Sequence, residues 1–383
     1  MSGTILHIGA SQTIDSVVLH QLRGLRDRGW KLVVACPDDA WARRIKADEF
    51  ALAPIPIGRR PSHGTLVRGA VTVFEVVRRV RPALVHTHNA HHGFVGRPIA
   101  RAHGIPSVHT WRYNPLDASD RRIVSAAYGF AEALASRAGN AVLFQNGEDL
   151  REATHRRLVP ADRAHLIGNG IRVEEYMVSP RDRQSTRAAL GLPSDSRVVV
   201  CVARLEERKR QADVIRAFAA ARDSDSDLQL LLVGTGPEEA ALRRLAADVG
   251  GLEHVHFAGQ RDDVPAILHA SDALVLASRR EGVPRSVLEA MAAGIPVIAT
   301  DVVGTREVAR DGETALVVPL GAVGGLCEAL LRALSDSALS ERLTSRARRL
   351  VQEGWREEQV VDRVDAIYRS VIDETARRRL RRR

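Results

Sequence analysis

Short apolar runs alternate with helix-length segments along almost the whole chain, and this alternation restricts the fold more than any other feature. Residues 4–9 (TILHIG), 31–36, 52–57, 83–87, 105–110, 141–145 and 165–168 read as buried strands. Residues 13–28, 65–80, 91–103 and 118–137 read as the helices between them. From Arg197 the alternation starts again, with strands at 228–233, 255–259, 274–278 and 295–300. Strands and helices taking turns at this spacing imply parallel sheets covered on both faces, hence an α/β chain. At 383 residues and 45% hydrophobic content, two full cores are expected.

The most informative stretch is 278–301, SRREGVPRSVLEAMAAGIPVIATD. A strand ends at Ser278, and Gly282 and Pro284 break the chain. Pro284 suits the first turn of a helix running to Ala293, because its missing N–H has no helical partner to lose. Gly294 stops the helix before the next strand. A helix that starts after a glycine turn at the C-terminal end of a parallel strand aims free N–H groups outward, which makes an anion site. Glu281 lies beside that turn and Glu289 about two turns into the helix. Such a pair suits sugar or ribose hydroxyls, since each ionised oxygen accepts hydrogen bonds. Taken alone, a solvated loop charge and a helix-surface residue describe the two equally well.

Upstream, VVVCVARLEERKR (198–210) is a strand ending near Arg204, with Lys209 opening the next helix. Both would sit at the C-terminal edge of the second sheet, where a diphosphate needs fixed positive charge. An Arg and a Lys five residues apart, followed by Glu281 and Glu289 in a Glu-x7-Glu segment, resemble glycosyltransferase family 4 over nearly the whole chain. That resemblance implies the GT-B fold: two Rossmann-like domains facing across a cleft, with a C-terminal helix crossing back to the first. The expected division is an acceptor domain at 1–170, a linker at 171–187, a nucleotide-sugar domain at 188–354, a cross-over helix at 355–376 and a basic tail at 377–383.

The resemblance also implies a reaction: retaining transfer of a sugar from a nucleotide-diphosphate sugar, a UDP-sugar being favoured, to an unidentified acceptor hydroxyl. Arg204 and Lys209 would neutralise the leaving diphosphate, helped by the helix N-terminus after Gly282. Glu281 would hold the donor sugar and Glu289 the ribose. Because fixed cations do the charge work, no cofactor or divalent metal is required. Arg261 is placed near the nucleobase, and His109, read as ending a strand and facing the cleft, near the reacting sugar. Two positions depart from the family pattern. The first loop, near the donor sugar phosphate in relatives, holds only Gly9 where they often have two glycines. Val283-Pro284-Arg285 stands where many have Phe-Gly, so Arg285 either adds a phosphate contact or points to solvent. The Gly234-Thr-Gly236 turn fits a nucleotide neighbour and a plain strand-to-helix turn equally well.

Charge bounds the partners. Residues 1–170 carry 23 Lys and Arg against 14 Asp and Glu, while residues 171–383 carry 33 of each. A basic first domain and the tail RRRLRRR suit an anionic membrane surface or a phosphorylated acceptor; arginines that merely decorate solvated faces remain the alternative. Nucleic acid is not expected, because no aromatics interleave the tail and aromatics are only 4% of the chain. Cys36, Cys201 and Cys327 read as small core residues of a reducing compartment. With no signal-like N-terminus and no apolar run near the roughly 18 residues of a span, the expectation is a cytoplasmic protein, peripheral at most on the inner face of the membrane. His86, His88, His91 and His92 cluster without a carboxylate or cysteine and read as polar residues at a strand end rather than a zinc site. Asp223, Asp225 and Asp227 lack the glycine and late glutamate of a calcium loop. A nucleotide-sugar epimerase of related architecture stays open as an alternative, and a non-catalytic anion-binding protein ranks behind it.

Overall fold

The computed structural model describes residues 3–58, 61–112, 114, 116 and 122–381. Two compact units account for it: Met1–Gly168 with Glu357–Arg383, and Asn169–Arg356.

Unit one contains β1 (Thr4–Ile8), β2 (Lys31–Cys36), β3 (Ala51–Pro54), β4 (Leu84–His88), β5 (Ser107–Trp111), β6 (Ala141–Phe144) and β7 (Ala164–Leu166). They form one parallel sheet in the order β3-β2-β1-β4-β5-β6-β7. Its helices are α1 (Ser11–Thr13), α2 (Leu19–Asp27), α3 (Ala40–Ala47), α4 (His63–Val80), α5 (Ala90–Ala102), α6 (Arg122–Ala138) and α7 (Gly147–His155). The single helix expected at 13–28 instead starts at Ser11 and passes through a π-helical turn, Ile14–Val18, where Asp15 is buried against Arg44 of α3 at 3.2 Å. The helix expected at 118–137 is seen from Arg122; residues 118–121 lie outside the described residues.

Unit two has the α/β pattern again. Its α8 (Glu174–Met177) and α9 (Arg183–Ala189) occupy the segment expected to be a linker. Arg187 explains why that segment folds onto the unit: its guanidinium is buried, donating to the carbonyls of Ala270, Ser194 and Ser196 and to Asp272 at 2.8 Å. Then come β8 (Arg197–Val202), α10 (Gln211–Arg222), β9 (Leu228–Val233), α11 (Glu239–Asp248), β10 (Val255–Gly259), α12 (Val264–Ala270), β11 (Ala273–Leu276), α13 (Arg285–Ala293), β12 (Val297–Thr300) and β13 (Leu316–Val318). The sheet order is β10-β9-β8-β11-β12-β13, again all parallel. Two helices follow, α14 (Val323–Ser335) and α15 (Ser337–Gly354), split where the Asp336 side chain caps the second through the Leu339 N–H. The Asp225 of the acidic loop is spent on Arg197 at 2.8 Å.

The last helix, α16 (Glu357–Leu380), packs on α2 and so belongs to unit one. Gly24 of α2 lets it approach, since a Cβ there would lie 2.8 Å from Val361. Arg363 donates to the Ile167 carbonyl and Trp30 Nε1 to Asp365 at 2.6 Å. The segment set apart as a basic tail from Arg377 continues the helix to Leu380, with Arg378 paired to Glu374 and Arg379 donating to the Gly104 carbonyl; Arg382 and Arg383 lie outside the described residues. Among the described residues no helix is long and apolar enough to cross a membrane.

Candidate functional site

In each sheet the strand order reverses beside the first strand, between β1 and β4 in unit one and between β8 and β11 in unit two. Ligands of open α/β sheets bind outside the carboxyl ends of the strands at such points. In unit two Arg204 and Lys209 lie on the loop that leaves β8, and Glu281 and Gly282 on the loop that leaves β11. Gly234 and Gly236, which follow β9, press on the 203–205 backbone that follows β8: a Cβ on Gly234 would meet the Ala203 carbonyl oxygen at 2.2 Å, and one on Gly236 the Leu205 oxygen at 2.0 Å. Gly234 also has φ 135. The glycine turn is therefore demanded by backbone packing that steadies the loop bearing Arg204, whose carbonyl accepts from Gln211 at 2.8 Å. Lys209 does not open the next helix. It ends a 3-10 turn (Glu207–Lys209), and Arg210 in the left-handed region (φ 51) turns the chain into α10.

Lys209 Nζ donates to Glu281 Oε1, joining the β8 and β11 loops, and both side chains are largely buried. Burial by itself would raise the Glu281 carboxyl; Lys209 and Arg208 outweigh it and hold the group below its ordinary value, so it is ionised. Gly304 (φ 82) packs under this turn, where a Cβ would sit 2.3 Å from the Glu281 carbonyl oxygen and 2.4 Å from that of Gly282. Pro284 is the N-cap of α13 rather than part of its first turn, and it leaves the following N–H groups without a side-chain cap. Glu289 faces Arg285 at 3.6 Å and the Tyr176 hydroxyl. Burial first and the Glu289 charge second push the Tyr176 hydroxyl up, so it stays a donor. Arg285 thus turns to Glu289 rather than to solvent. Arg204 lies 3.2 Å from Glu206, which Arg208 also reaches at 2.7 Å.

Other expected residues stand apart from this group. The Val283 side chain is in the core, leaving only its backbone, whose carbonyl accepts from Asn169 at 2.9 Å. Arg261 is held by Asp263 through two bonds of 2.9 and 2.8 Å. Gly9 and His109 belong to unit one. Gly9 is tight, with an added Cβ 2.9 Å from Ile14. His109 does not end its strand; it is the middle residue of β5 and only 1% exposed, bonded to Thr87 Oγ1 at 2.8 Å. Gly93 of α5 covers it so closely that a Cβ would lie 2.6 Å from the ring.

Strand alternation separates the histidines of unit one. His7, His86 and His88 share the sheet face under α16, while Thr87 and His109 share the opposite face under α5. His7 Nδ1 lies 3.1 Å from His88 Nε2, and His86 is bonded to Tyr368 of α16 and to Thr110 at 2.7 Å. The ring nitrogens of the three lie within 4.8 Å of one another, a metal-like spacing. Arg112, 3.4 Å from His88, opposes a second cation there, and both His86 nitrogens are already bonded. Burial, with Arg112 second, lowers His7 to about 3. His86 and His88 are pushed well down chiefly by burial. His91 and His92 leave the cluster for Tyr128 and the Ile57 carbonyl. Directly after His88, Asn89 holds φ 71 and ψ 148, a region nearly reserved for glycine.

Residues 182–350 match the family described as glycosyl transferases group 1, and residues 13–170 match a glycosyl transferase 4-like domain. The chain belongs to the group 1 glycosyl transferases. This transferase is 31% identical over 219 residues to N-acetyl-alpha-D-glucosaminyl L-malate synthase of Bacillus anthracis, a match covering 57% of each chain. It is 25% identical over 311 residues, 80% of this chain and 79% of the other, to the Escherichia coli UDP-Gal:alpha-D-GlcNAc-diphosphoundecaprenol alpha-1,3-galactosyltransferase. Its fold is that of Anabaena HepE, solved with UDP-glucose, at TM-score 0.82 and 19% identity over 96% of this chain and 100% of that one. The α/β architecture is GT-B, as the resemblance implied.

Several residues that shape this transferase's site carried no individual signal in the sequence. Arg208 braces the Glu281 turn through the Arg279 N–H and the Arg280 carbonyl. Tyr176 comes from the segment read as a linker, and His7 sits in an ordinary apolar strand pattern.

Proposed function

We propose that this transferase moves a sugar from a nucleotide-diphosphate sugar to an acceptor hydroxyl with retention at the anomeric carbon. The Lys209–Glu281 pair carries the reading: it sets a cation and an ionised carboxylate together beside the uncapped N-terminus of α13, at the strand-order reversal of unit two. As the donor bond breaks, negative charge gathers on the diphosphate. Arg204, Lys209 and the N–H groups of α13 are fixed before that charge develops, so they stabilise it without reorganising. Glu281 accepts from sugar hydroxyls and Glu289 from the ribose, each oriented by its own cation. Fixed cations supply the charge, so the reaction is proposed to run without a divalent metal. The acceptor side is proposed for unit one, where the neutral state of His109 limits it to hydrogen bonding.

A UDP-sugar is the favoured donor, supported by the UDP-Gal specificity named for the Escherichia coli relative and by the UDP-glucose held by HepE. A lipid-linked phosphate acceptor is supported by that relative's diphosphoundecaprenol substrate and by the excess of nine positive charges in residues 1–170. We infer accordingly that the enzyme works in the cytoplasm, peripheral on the inner face of the membrane. Calorimetric titration with UDP in the presence of chelator tests the donor half. Micromolar-range binding weakened at least about tenfold in Arg204→Ala is expected; binding that requires a divalent ion, or that ignores the substitution, contradicts it.

A further inference from the structure

Helix α6 is inverted relative to an ordinary helix packed on a sheet, whose apolar side faces inward. Its inward side carries Gly129, Glu132, Ala135 and Ser136. Glu132 is fully buried and grips the equally buried Arg97 of α5 through two bonds of 2.8 and 2.7 Å. Its outward side carries Ile123, Ala127, Phe130 and Leu134 at helical spacing, and Ile123 is 86% and Phe130 67% exposed. A second stripe lies on α4, where Val67, Val71 and Phe74 are exposed. Between them α5 presents the half-buried Phe94 and Val95. The helices are adjacent: Phe74 meets the His103 ring at the end of α5 at 4.6 Å, and His91 of α5 bonds to Tyr128 of α6 at 3.0 Å. The result is a three-helix apolar face.

Its border is basic. Arg68, Arg78, Arg79, Arg81, Arg101 and Arg137 are exposed on these helices and their ends, and among the described residues none is paired with a carboxylate. Glu75 is the one exposed acid on the described parts of the three helices. A second copy of the chain would set one arginine border against another, with a single glutamate on each side to answer it. An anionic bilayer answers both features. Apolar side chains enter the boundary between headgroups and acyl chains, and arginines reach lipid phosphates. We propose that the α4–α5–α6 face of unit one is a docking surface for an anionic lipid membrane. It shares no residue with the Lys209–Glu281 site, so it stands or falls apart from the donor chemistry.

Co-sedimentation of the full chain with phosphatidylcholine vesicles, with and without phosphatidylglycerol, tests this. Binding at least about tenfold stronger to the anionic vesicles and weakened by salt is expected. Phe130→Asp with Leu134→Asp should cut it at least about tenfold, and so should Arg78→Glu with Arg79→Glu. Retained UDP affinity and an unchanged circular dichroism melt show that each variant is folded. The arginine pair, fully on the surface, serves if the aspartate pair fails to fold. No binding by the wild type, equal binding to neutral vesicles, or binding undiminished in the arginine variant would overturn the proposal. So would a dimer in sedimentation equilibrium that dissociates in either variant, because a second copy would then cover the face.

Discussion

The two units share a parallel α/β plan and reverse strand order at matching places, yet they handle charge in opposite ways. In unit two the strands beside the reversal are apolar, with Cys201 buried and its thiol pushed up to about 12 by burial. Charges are confined to the loops, where Lys209 keeps Glu281 ionised. In unit one the polar groups are within the strands: His7 on β1, His86 and His88 on β4, all buried and kept neutral. One plan therefore supplies a place for a ligand twice, and the residues decide whether that place stabilises charge or offers neutral hydrogen bonds.

The sharpest way to break this contrast is to remove the cation. Lys209→Ala leaves Glu281 without its bonded partner and should lower kcat/KM for donor turnover by about 10²–10³-fold. Lys209→Met with Glu281→Gln restores fold stability without restoring rate; recovered rate would mean the pair is only structural. Next in size is Gly304→Ala, which places a Cβ 2.3 Å from the Glu281 carbonyl oxygen at φ 82. It should cost about 1–3 kcal/mol in denaturant unfolding and weaken donor binding, because the turn must shift.

Acid should separate the units. His7, His86 and His88 have folded-state values below the ordinary 6.5, His7 at about 3. Their contribution is complete above 6.5 and is lost as pH falls toward the folded values, because the unfolded chain then binds protons that the folded chain does not. The slope is about 1.4 kcal/mol per histidine per pH unit. Hydrogen exchange between about pH 7 and pH 5 should open β1 and β4 before β8 and β11. Simultaneous opening would erase the distinction between the units. The smallest effect belongs to Arg285→Ala, which releases Glu289 and should raise the donor KM roughly threefold to tenfold with little change in kcat.

The parallel sheets were legible because buried strands between helices leave apolar runs whose length and breaks are readable. The Glu281 loop was legible because Gly282, Pro284 and Gly294 punctuate it, and the Lys209 loop because its spacing from Arg204 stands out beside the Glu281–Glu289 spacing. Long-range pairing was not. His7 joins His86 through strand register, and Tyr368 reaches them from a helix 282 residues further along the chain than His86, which no local pattern encodes. His109 was misplaced because the residues that cover it, Gly93 and Thr87, come from other elements. Arg187 hid a folded segment, since a buried arginine among carbonyls looks like any surface arginine in sequence. Helices α3 and α7 went unassigned although Asp39 and Asn146 cap them, a signal that short helices offer in place of periodicity.

The most direct test is nucleotide release from UDP-, GDP-, ADP- and dTDP-sugars by the full chain in the presence of chelator, with Glu281→Ala alongside and with membrane extract as an acceptor source. The account predicts release from one donor, a UDP-sugar, stimulated by the extract and abolished by the substitution. Release that persists undiminished in Glu281→Ala, or no turnover of any donor under these conditions, would contradict it.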